Sequence, residues 1–223
     1  MTIPIKTLIL DSDISQHDVP YFRGAIIDAV SEESSLLFHN HLSDEALRYS
    51  YPLVQYKRIL GKAAVLCIGE ACQNSDLLHT LNGKELHIGN KTKIFRTESF
   101  VSECFALEVS DSMHTYEISD WIALNSQNFE RYKNHTSLTE KIQFLESILI
   151  GNILSLAKGL GVCIQKEIKC TITDLPSSRI VTVKGNQVTA FNVKFMANVS
   201  LPQYIGLGKN VSFGFGMITN KKK

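Results

Sequence analysis

The spacing of apolar residues in the first half of the chain predicts a strand, a helix and two further strands. Residues 2–10 are largely apolar and predict a strand. Residues 18–30 predict a helix, because Asp18 can cap an apolar pattern that continues at helical spacing. Residues 51–60 and 63–68 predict two strands that are joined by a glycine turn.

The next stretch completes a recognisable order of elements. A short helix is predicted near residues 73–81, and extended segments follow from residue 84 to about 117. The resulting order is strand, helix, strand, strand, helix, strand, which is the ferredoxin-like unit. We therefore predict a first domain over residues 1–118.

The second half begins with the strongest helix signal in the chain. Ser137 and Glu140 form a capping box, and apolar residues follow at spacings of three and four until Gly159. Strands are predicted after this helix, at residues 163–175, 180–184, 187–199 and 211–219. With one strand before the helix, residues 119–223 form a second domain. The predicted fold class is α+β, with tandem ferredoxin-like (RRM-like) βαββαβ domains.

Composition indicates a globular protein and excludes several classes. The chain has 223 residues, 44% of them hydrophobic, and no apolar run near the ~18 residues of a membrane span. The N-terminus lacks the basic and apolar regions of a signal peptide, so we expect a cytoplasmic protein. The five cysteines are odd in number and form no Cys-x-x-Cys pair, which argues against a disulfide framework or a zinc ribbon. No cofactor is expected.

Positive charge is concentrated in the last third of the chain. Residues 158–223 contain ten Lys and Arg and two acidic residues, a balance of +8, although the whole chain has a net charge of only +1. The rest of the chain therefore sums to −7. Such a distribution indicates a surface that binds a polyanion, and solvated lysines on strand exteriors would give a weaker form of the same pattern.

Four glycines lie close together near the C-terminus, in residues 206–216, which we call the glycine-rich segment. Glycine lets successive N–H groups approach one anion, and neighbouring polar side chains supply further donors. Neither the P-loop nor the dinucleotide-binding pattern fits the spacing. A glycine-rich loop before an edge strand is the alternative. The residues predicted to contact a phosphate backbone are Gly206, Gly208, Lys209, Asn210, Gly214 and Gly216.

The sequence of this segment resembles the glycine-rich motif of the repeat-associated (RAMP) RNA-binding proteins of CRISPR systems. More narrowly, it is similar to the CRISPR-associated endoribonuclease, the sixth Cas family. The strand pair that contains residues 48–59 and 63–70 agrees with the same family. The two motifs together cover roughly a fifth of the chain.

The resemblance implies an activity and partners. It implies a metal-independent endoribonuclease that cuts CRISPR precursor transcripts within each repeat, leaving a 2′,3′-cyclic phosphate and a 5′-hydroxyl. The implied partners are CRISPR repeat RNA and, further, CRISPR effector proteins, with the chain acting as a monomer or a homodimer. A different class stays open: a non-catalytic RAMP-type RNA-binding subunit of a CRISPR effector complex.

Two histidines are the candidates for acid–base chemistry. His39 and His41 are two residues apart, so an extended segment would place both rings on one side, and histidine exchanges protons near neutral pH. The same spacing suits a metal site, although no further ligand cluster completes one, or two ordinary surface histidines. The resemblance implies His41 first, His39 second and Tyr49 in support. Lys57 is the candidate for neutralising the phosphate of the transition state.

The aromatic residues near the C-terminus keep the binding-only alternative open. Phe213 and Phe215 alternate with Gly214, in partial likeness to the strand motif on which RNA-recognition domains stack bases. Their shared face would more often pack on helices. A protein that only binds RNA does not need the two histidines, whereas a nuclease does.

Overall fold

The structure, a computed structural model, describes residues 2–30, 51–174 and 176–220. Its contacts divide the chain into two compact units. The first comprises residues 1–105 together with Ser212–Gly214, and the second comprises Ala106–Val211 and the residues from Phe215 onward. Among the described residues, no helix has both the length and the apolar character needed to cross a bilayer.

The first unit is built on a four-stranded sheet. Its elements are β1 (Thr2–Asp13), α1 (Val19–Ala29), β2 (Val54–Ile59), β3 (Lys62–Ile68), β4 (Glu85–Ile88), β5 (Lys91–Ile94) and β6 (Thr97–Ala106). The strand order in the sheet is β2-β3-β1-β6, and β1 and β2 both pair antiparallel with β3. The strands β4 and β5 form a separate hairpin, and a 3-10 helical segment, Gly69–Leu81, follows β3.

The helix α1 packs on one face of this sheet. Its buried residues Phe22 and Ile26 join a core cluster with Tyr56 from β2 and Val65 from β3. The Phe22 and Tyr56 rings meet edge to face with their centroids 5.9 Å apart, a favourable aromatic geometry. Because side chains alternate along a strand, the residues next to Tyr56 point to the other face.

The second unit repeats the same strand order. Its elements are β7 (Val109–Trp121), α2 (Ser126–Asn134), α3 (Leu138–Gly159), β8 (Cys170–Ile172), β9 (Ser177–Val183), β10 (Asn186–Val199) and β11 (Met217–Asn220). The strand order in the sheet is β11-β7-β10-β8, and β9 pairs with the first half of β10, so the second strand of the unit is split in two. When the sheet strands are numbered along each unit, both sheets have the order fourth, first, third, second, which is the ferredoxin-like arrangement.

The capping box predicted at the start of α3 is confirmed. The Ser137 hydroxyl accepts a hydrogen bond from the Glu140 N–H at 3.1 Å, and the Glu140 carboxylate accepts one from the Ser137 N–H at 3.1 Å. The predicted tandem ferredoxin-like fold is confirmed by the two matching strand orders.

Two details differ from the sequence-based expectations. Residues 211–213 form a 3-10 turn instead of a strand, and the last strand begins only at Met217. The domain boundary predicted after residue 118 lies inside β7. The reason is that β7 pairs with both β10 and β11, so its whole length belongs to the second sheet.

Candidate functional site

The glycine-rich segment is held against the end of β7. The Gly216 N–H donates to the carbonyl of Asp120, with N and O 3.1 Å apart, and the Lys209 N–H donates to the carbonyl of Ile122, also at 3.1 Å. Lys209 and Ile122 form an isolated antiparallel bridge. The strand end therefore fixes the segment at two points.

The segment also closes on itself through its backbone. The Leu207 N–H donates to the Gly216 carbonyl at 2.8 Å. Gly216 has a φ of +62°, and an added Cβ there would overlap the Leu207 carbonyl oxygen. Only glycine therefore fits at this position without displacing the backbone opposite.

Gly208 is required by a different neighbour. Its φ is +92°, and a Cβ would lie 2.7 Å from both Cδ1 and Nε1 of Trp121 and 2.9 Å from the Ile122 carbonyl oxygen. The Trp121 side chain is fully buried, and its indole N–H donates to Oδ1 of Asn152 on α3 at 2.9 Å. The backbone of the segment thus lies directly on a fixed indole ring.

The predicted RNA-binding residues differ in their accessibility. Lys209 is exposed at the tip of the segment, and Gly208 and Asn210 are half-buried. Gly206, Gly214 and Gly216 are buried. Gly206 forms a bridge with Met217, and the atoms nearest to a Cβ at Gly214 or Gly216 belong to the protein's own chain. Asn210 has a φ of +57°, a left-handed conformation that asparagine tolerates better than most residues. Lys209 is the cationic side chain that the segment exposes.

Ser212–Gly214 belong to the first unit. Nε2 of Gln16 donates to the Phe213 carbonyl at 3.4 Å, and the Arg23 guanidinium lies 5.1 Å from the centroid of the Phe213 ring. The same guanidinium lies 6.0 Å from the Tyr56 ring, so it contacts two aromatic side chains. Phe213 is therefore packed beside an arginine in a 3-10 turn. The base-stacking alternative requires this residue to lie on a strand, and it does not.

Lys57 lies on β2, on the sheet face opposite Tyr56. Its side chain is 0% exposed, and within the described part of the chain its Nζ has no hydrogen-bond partner. Burial lowers the pKa of the Lys57 ammonium to about 7. The neighbouring Gln55 on the same face is also fully buried. A buried amine with no partner is costly for stability, which makes it a candidate for function.

The remaining predicted catalytic residues, His39, His41 and Tyr49, lie outside the described residues. Among the residues that the structure does describe, no three His, Cys, Asp or Glu side chains are grouped as a metal site would need.

The second sheet exposes a polar face opposite α3. Its central strands β7 and β10 present Glu117 and Lys194, and the face carries a shallow cavity of about 250 Å³. Lys194 pairs with Asp174 at 3.1 Å. Along β7 and β10 this face carries no aromatic side chain, so it lacks the platform on which RNA-recognition domains stack bases.

Sequence reasoning missed the residues that position the segment, Trp121 and Asn152. Trp121 is the single tryptophan of the chain and ends a strand, which is the one signal that could have drawn attention to it. Nothing local in the sequence connects it to Gly208, because the contact joins distant parts of the chain.

Comparisons with known proteins match both halves of the chain. The model of the Cas6b N-terminal domain matches residues 1–106, and the model of the Cas6b C-terminal domain matches residues 108–221. An uncharacterized protein of Methanocaldococcus jannaschii is 35% identical over 141 residues, which are 62% of this chain and 93% of that protein.

Two solved structures are similar over nearly the whole chain. A crystal structure of Cas6b is 30% identical with a TM-score of 0.88, and the match covers 99% of this chain and 100% of that one. A crystal structure of the CRISPR RNA processing endoribonuclease Cas6b is 25% identical with a TM-score of 0.76, again covering 99% of this chain and 100% of the other.

Proposed function

Because the chain belongs to the Cas6b family, we propose that it is an endoribonuclease that processes CRISPR RNA. The observation that carries this proposal is the match of both halves to the Cas6b domain models. The similarity to a solved CRISPR RNA processing endoribonuclease Cas6b extends over 99% of the chain and supports the same activity. The substrate is CRISPR precursor RNA, cut within its repeats.

The proposed reaction uses no metal. The 2′-hydroxyl upstream of the cut loses a proton, and its oxygen forms a bond to the adjacent phosphorus. The bond between that phosphorus and the 5′-oxygen of the leaving nucleotide breaks, and the 5′-oxygen gains a proton. The products are a 2′,3′-cyclic phosphate and a 5′-hydroxyl. His41 and His39 act as the acid and the base, because imidazole exchanges protons near neutral pH, and Tyr49 supports them.

Lys57 is proposed to neutralise the charge that develops on the phosphate. A cation in a desolvated place stabilises such charge more strongly than one in water. Lys57 follows the segment that carries the two histidines and Tyr49, and its buried Nζ has no partner among the described residues. Because the side chain is 0% exposed, a phosphate reaches it only if the residues that cover it move.

Binding of the RNA backbone is assigned to the second domain, with the glycine-rich segment and its exposed Lys209. The backbone that presents the Lys209 side chain is shaped by Gly206, Gly208, Asn210, Gly214 and Gly216. If the contacts are to phosphates, the logarithm of the affinity should fall with the logarithm of the salt concentration by ~0.7 per phosphate on a single strand. An affinity that does not change with salt would contradict this part of the proposal.

The deciding experiment incubates the purified protein with the repeat RNA of its own CRISPR locus in excess EDTA. Wild-type protein should cut, and His41→Ala should lose ~10² to 10⁴ in rate, about 3 to 5 kcal/mol, with repeat affinity changed by only a few-fold. His39→Ala should show the same kind of loss. His79→Ala is the matched control, because His79 lies in the helical segment that follows β3.

Substrate and product chemistry give an independent check. A 2′-deoxynucleotide immediately upstream of the cut should block the reaction of the wild-type protein, since the attacking oxygen is absent. If both histidine variants cut at the wild-type rate, the acid and base lie elsewhere. If the wild-type protein binds repeats tightly and never cuts them, the chain is a non-catalytic RNA-binding subunit.

A further inference from the structure

We propose that Trp121 and Asn152 are positioning residues for RNA binding. Asn152 fixes the indole of Trp121, and the indole fixes residues 207–210, which present the exposed Lys209. This inference rests on the proposed function, because it names the residues through which the glycine-rich segment acquires its binding geometry.

The first step is the hold on the indole. Trp121 is 0% exposed, so its N–H has no water to bond to, and Oδ1 of Asn152 accepts it at 2.9 Å. Asn152 belongs to α3, whose flanking residues Leu149 and Ile153 are both 0% exposed. The acceptor is therefore mounted on a helix that is anchored in the core of the second unit.

The second step is the contact between the ring and the segment. The ring atoms that face Gly208 are Cδ1 and Nε1, each 2.7 Å from the place of a Cβ. Nε1 is also the atom that donates to Asn152. The hydrogen bond and the backbone contact share one edge of the indole, so a rotation of the ring that breaks the first also displaces the second.

The third step extends the contact to Lys209. The Lys209 N–H donates to the Ile122 carbonyl at 3.1 Å. Gly208 thus lies against Trp121, and Lys209 is held by the next residue along the chain, Ile122. The indole also packs near Phe191, with ring centroids 6.3 Å apart. The ring is thus restrained by Asn152 and Phe191, and the exposed side chain of Lys209 extends from a backbone that is held in place.

The first arm of the test needs no RNA. In Asn152→Leu the buried indole N–H loses its acceptor, and amide hydrogen exchange over residues 207–210 should accelerate by roughly tenfold or more. Asn152→Asp keeps an acceptor oxygen and should restore slow exchange. The emission of Trp121, the single tryptophan, should shift in Asn152→Leu and return in Asn152→Asp. Unchanged exchange in Asn152→Leu overturns the inference.

The second arm measures binding of a repeat RNA. We expect Asn152→Leu to raise the Kd for the repeat RNA by roughly tenfold, and Asn152→Asp, which keeps an acceptor oxygen, to bind close to the wild type. Lys209→Ala should also weaken binding, and the double variant should bind little worse than either single variant, because both changes remove one positioned contact. Strictly additive losses would show that Asn152 does not act through Lys209.

The two proposals fail in distinguishable ways. If the wild-type protein neither binds nor cuts repeat RNA, the proposed function is wrong, and the RNA-binding role of Asn152 falls with it. If the wild-type protein binds and cuts but Asn152→Leu binds equally well, only the positioning role is wrong. Where Asn152→Leu does not fold, Trp121→Phe serves instead, since it keeps a ring and lacks the N–H.

Discussion

The two sheets of the molecule share one strand order but differ on the face that lies opposite their helices. In the first sheet this face buries Gln55 and Lys57 completely. In the second sheet it exposes polar side chains such as Lys194, which is paired with Asp174. The two sheets therefore share a fold but offer different chemical groups on this face. A desolvated amine belongs to the first sheet, and the second sheet offers solvated charges together with the anchor of the glycine-rich segment.

The largest effect is expected where the glycine-rich segment joins the second sheet. Gly216→Ala would drive a Cβ into the Leu207 backbone, and we expect a loss of at least about 4 kcal/mol in the free energy of unfolding. Gly161→Ala is the matched control. Gly161 has a similar φ of +69° with nothing within 4 Å of its Cβ position, so it should cost only about 1 to 2 kcal/mol. Urea denaturation measures both, and equal losses would show that the close contact is not what requires glycine.

The next test concerns the buried amine of the first sheet. Lys57 has a lowered pKa of about 7 in the folded protein and an ordinary value of 10.5 when unfolded. Between about pH 7 and pH 10.5 the unfolded chain binds more protons at this residue than the folded protein does. The free energy of unfolding therefore rises with pH, by up to about 1.4 kcal/mol per pH unit. Below pH 7 both states are protonated and the cost of burial is constant and largest. Lys57→Met should therefore stabilise the protein by about 3 kcal/mol at pH 7, and the gain should fade towards pH 10.

A matched change in the second sheet sharpens this comparison. Lys194→Met removes a solvated lysine, so its effect on the free energy of unfolding should not vary across pH 7 to 10. If Lys57 also assists the reaction, Lys57→Met raises stability while it lowers the cleavage rate. If the free energy of unfolding has the same pH dependence in Lys57→Met and in the wild type, the pKa of Lys57 is not lowered in the folded protein.

A smaller difference is expected between two buried tyrosines, one under each sheet. The Tyr116 hydroxyl donates to the Val199 carbonyl at 2.8 Å and accepts from the Leu201 N–H at 2.9 Å. Tyr116→Phe leaves these groups unpaired and should cost about 1 to 3 kcal/mol. The Tyr56 hydroxyl has no partner among the described residues, so Tyr56→Phe should change the free energy of unfolding by less than about 0.5 kcal/mol. Chemical denaturation of both variants tests the contrast, and similar losses would refute it.

The smallest effect is expected on the exposed face of the second sheet. Lys194 and Asp174 form an ion pair whose side chains are 46% and 58% exposed, so water screens it. Asp174→Asn should cost less than about 0.5 kcal/mol in thermal or urea unfolding. A loss above about 1 kcal/mol would mean that this face is not the solvated surface described above.

Local signals predicted most of the fold. The capping box at Ser137 fixes the start of α3, because both of its hydrogen bonds are made within four residues. The turn between β2 and β3 and the hairpin at Gly185 are local in the same way. The strand order of both units agrees with the order of elements along the chain, which already indicated the ferredoxin-like arrangement.

The candidate site depends on contacts that local patterns do not encode. Alternation along β2 places Lys57 opposite Tyr56, but whether that face is buried depends on the rest of the fold. In the sequence, Gly208 and Gly216 appear only as flexible positions. In the structure each must be glycine for a steric reason, because a Cβ at Gly208 would clash with Trp121 and one at Gly216 would clash with Leu207. The 3-10 turn at residues 211–213 replaces the predicted strand, and its Phe213 contacts Gln16 and Arg23. Such reasons become visible only when distant segments are brought together.

The hydrogen bond between Gln16 and the Phe213 carbonyl spans 197 residues and has a consequence for how the protein is made. Ser212–Gly214 complete the first unit, so a nascent chain cannot finish folding that unit while these three residues are still inside the ribosome. The rest of the first unit must therefore remain incompletely packed until Ser212–Gly214 have left the ribosome. Contacts of such long sequence separation also slow folding, because the chain loses more entropy before the contact forms. The first unit is thus completed only after Ala106–Val211 of the second unit have been synthesised.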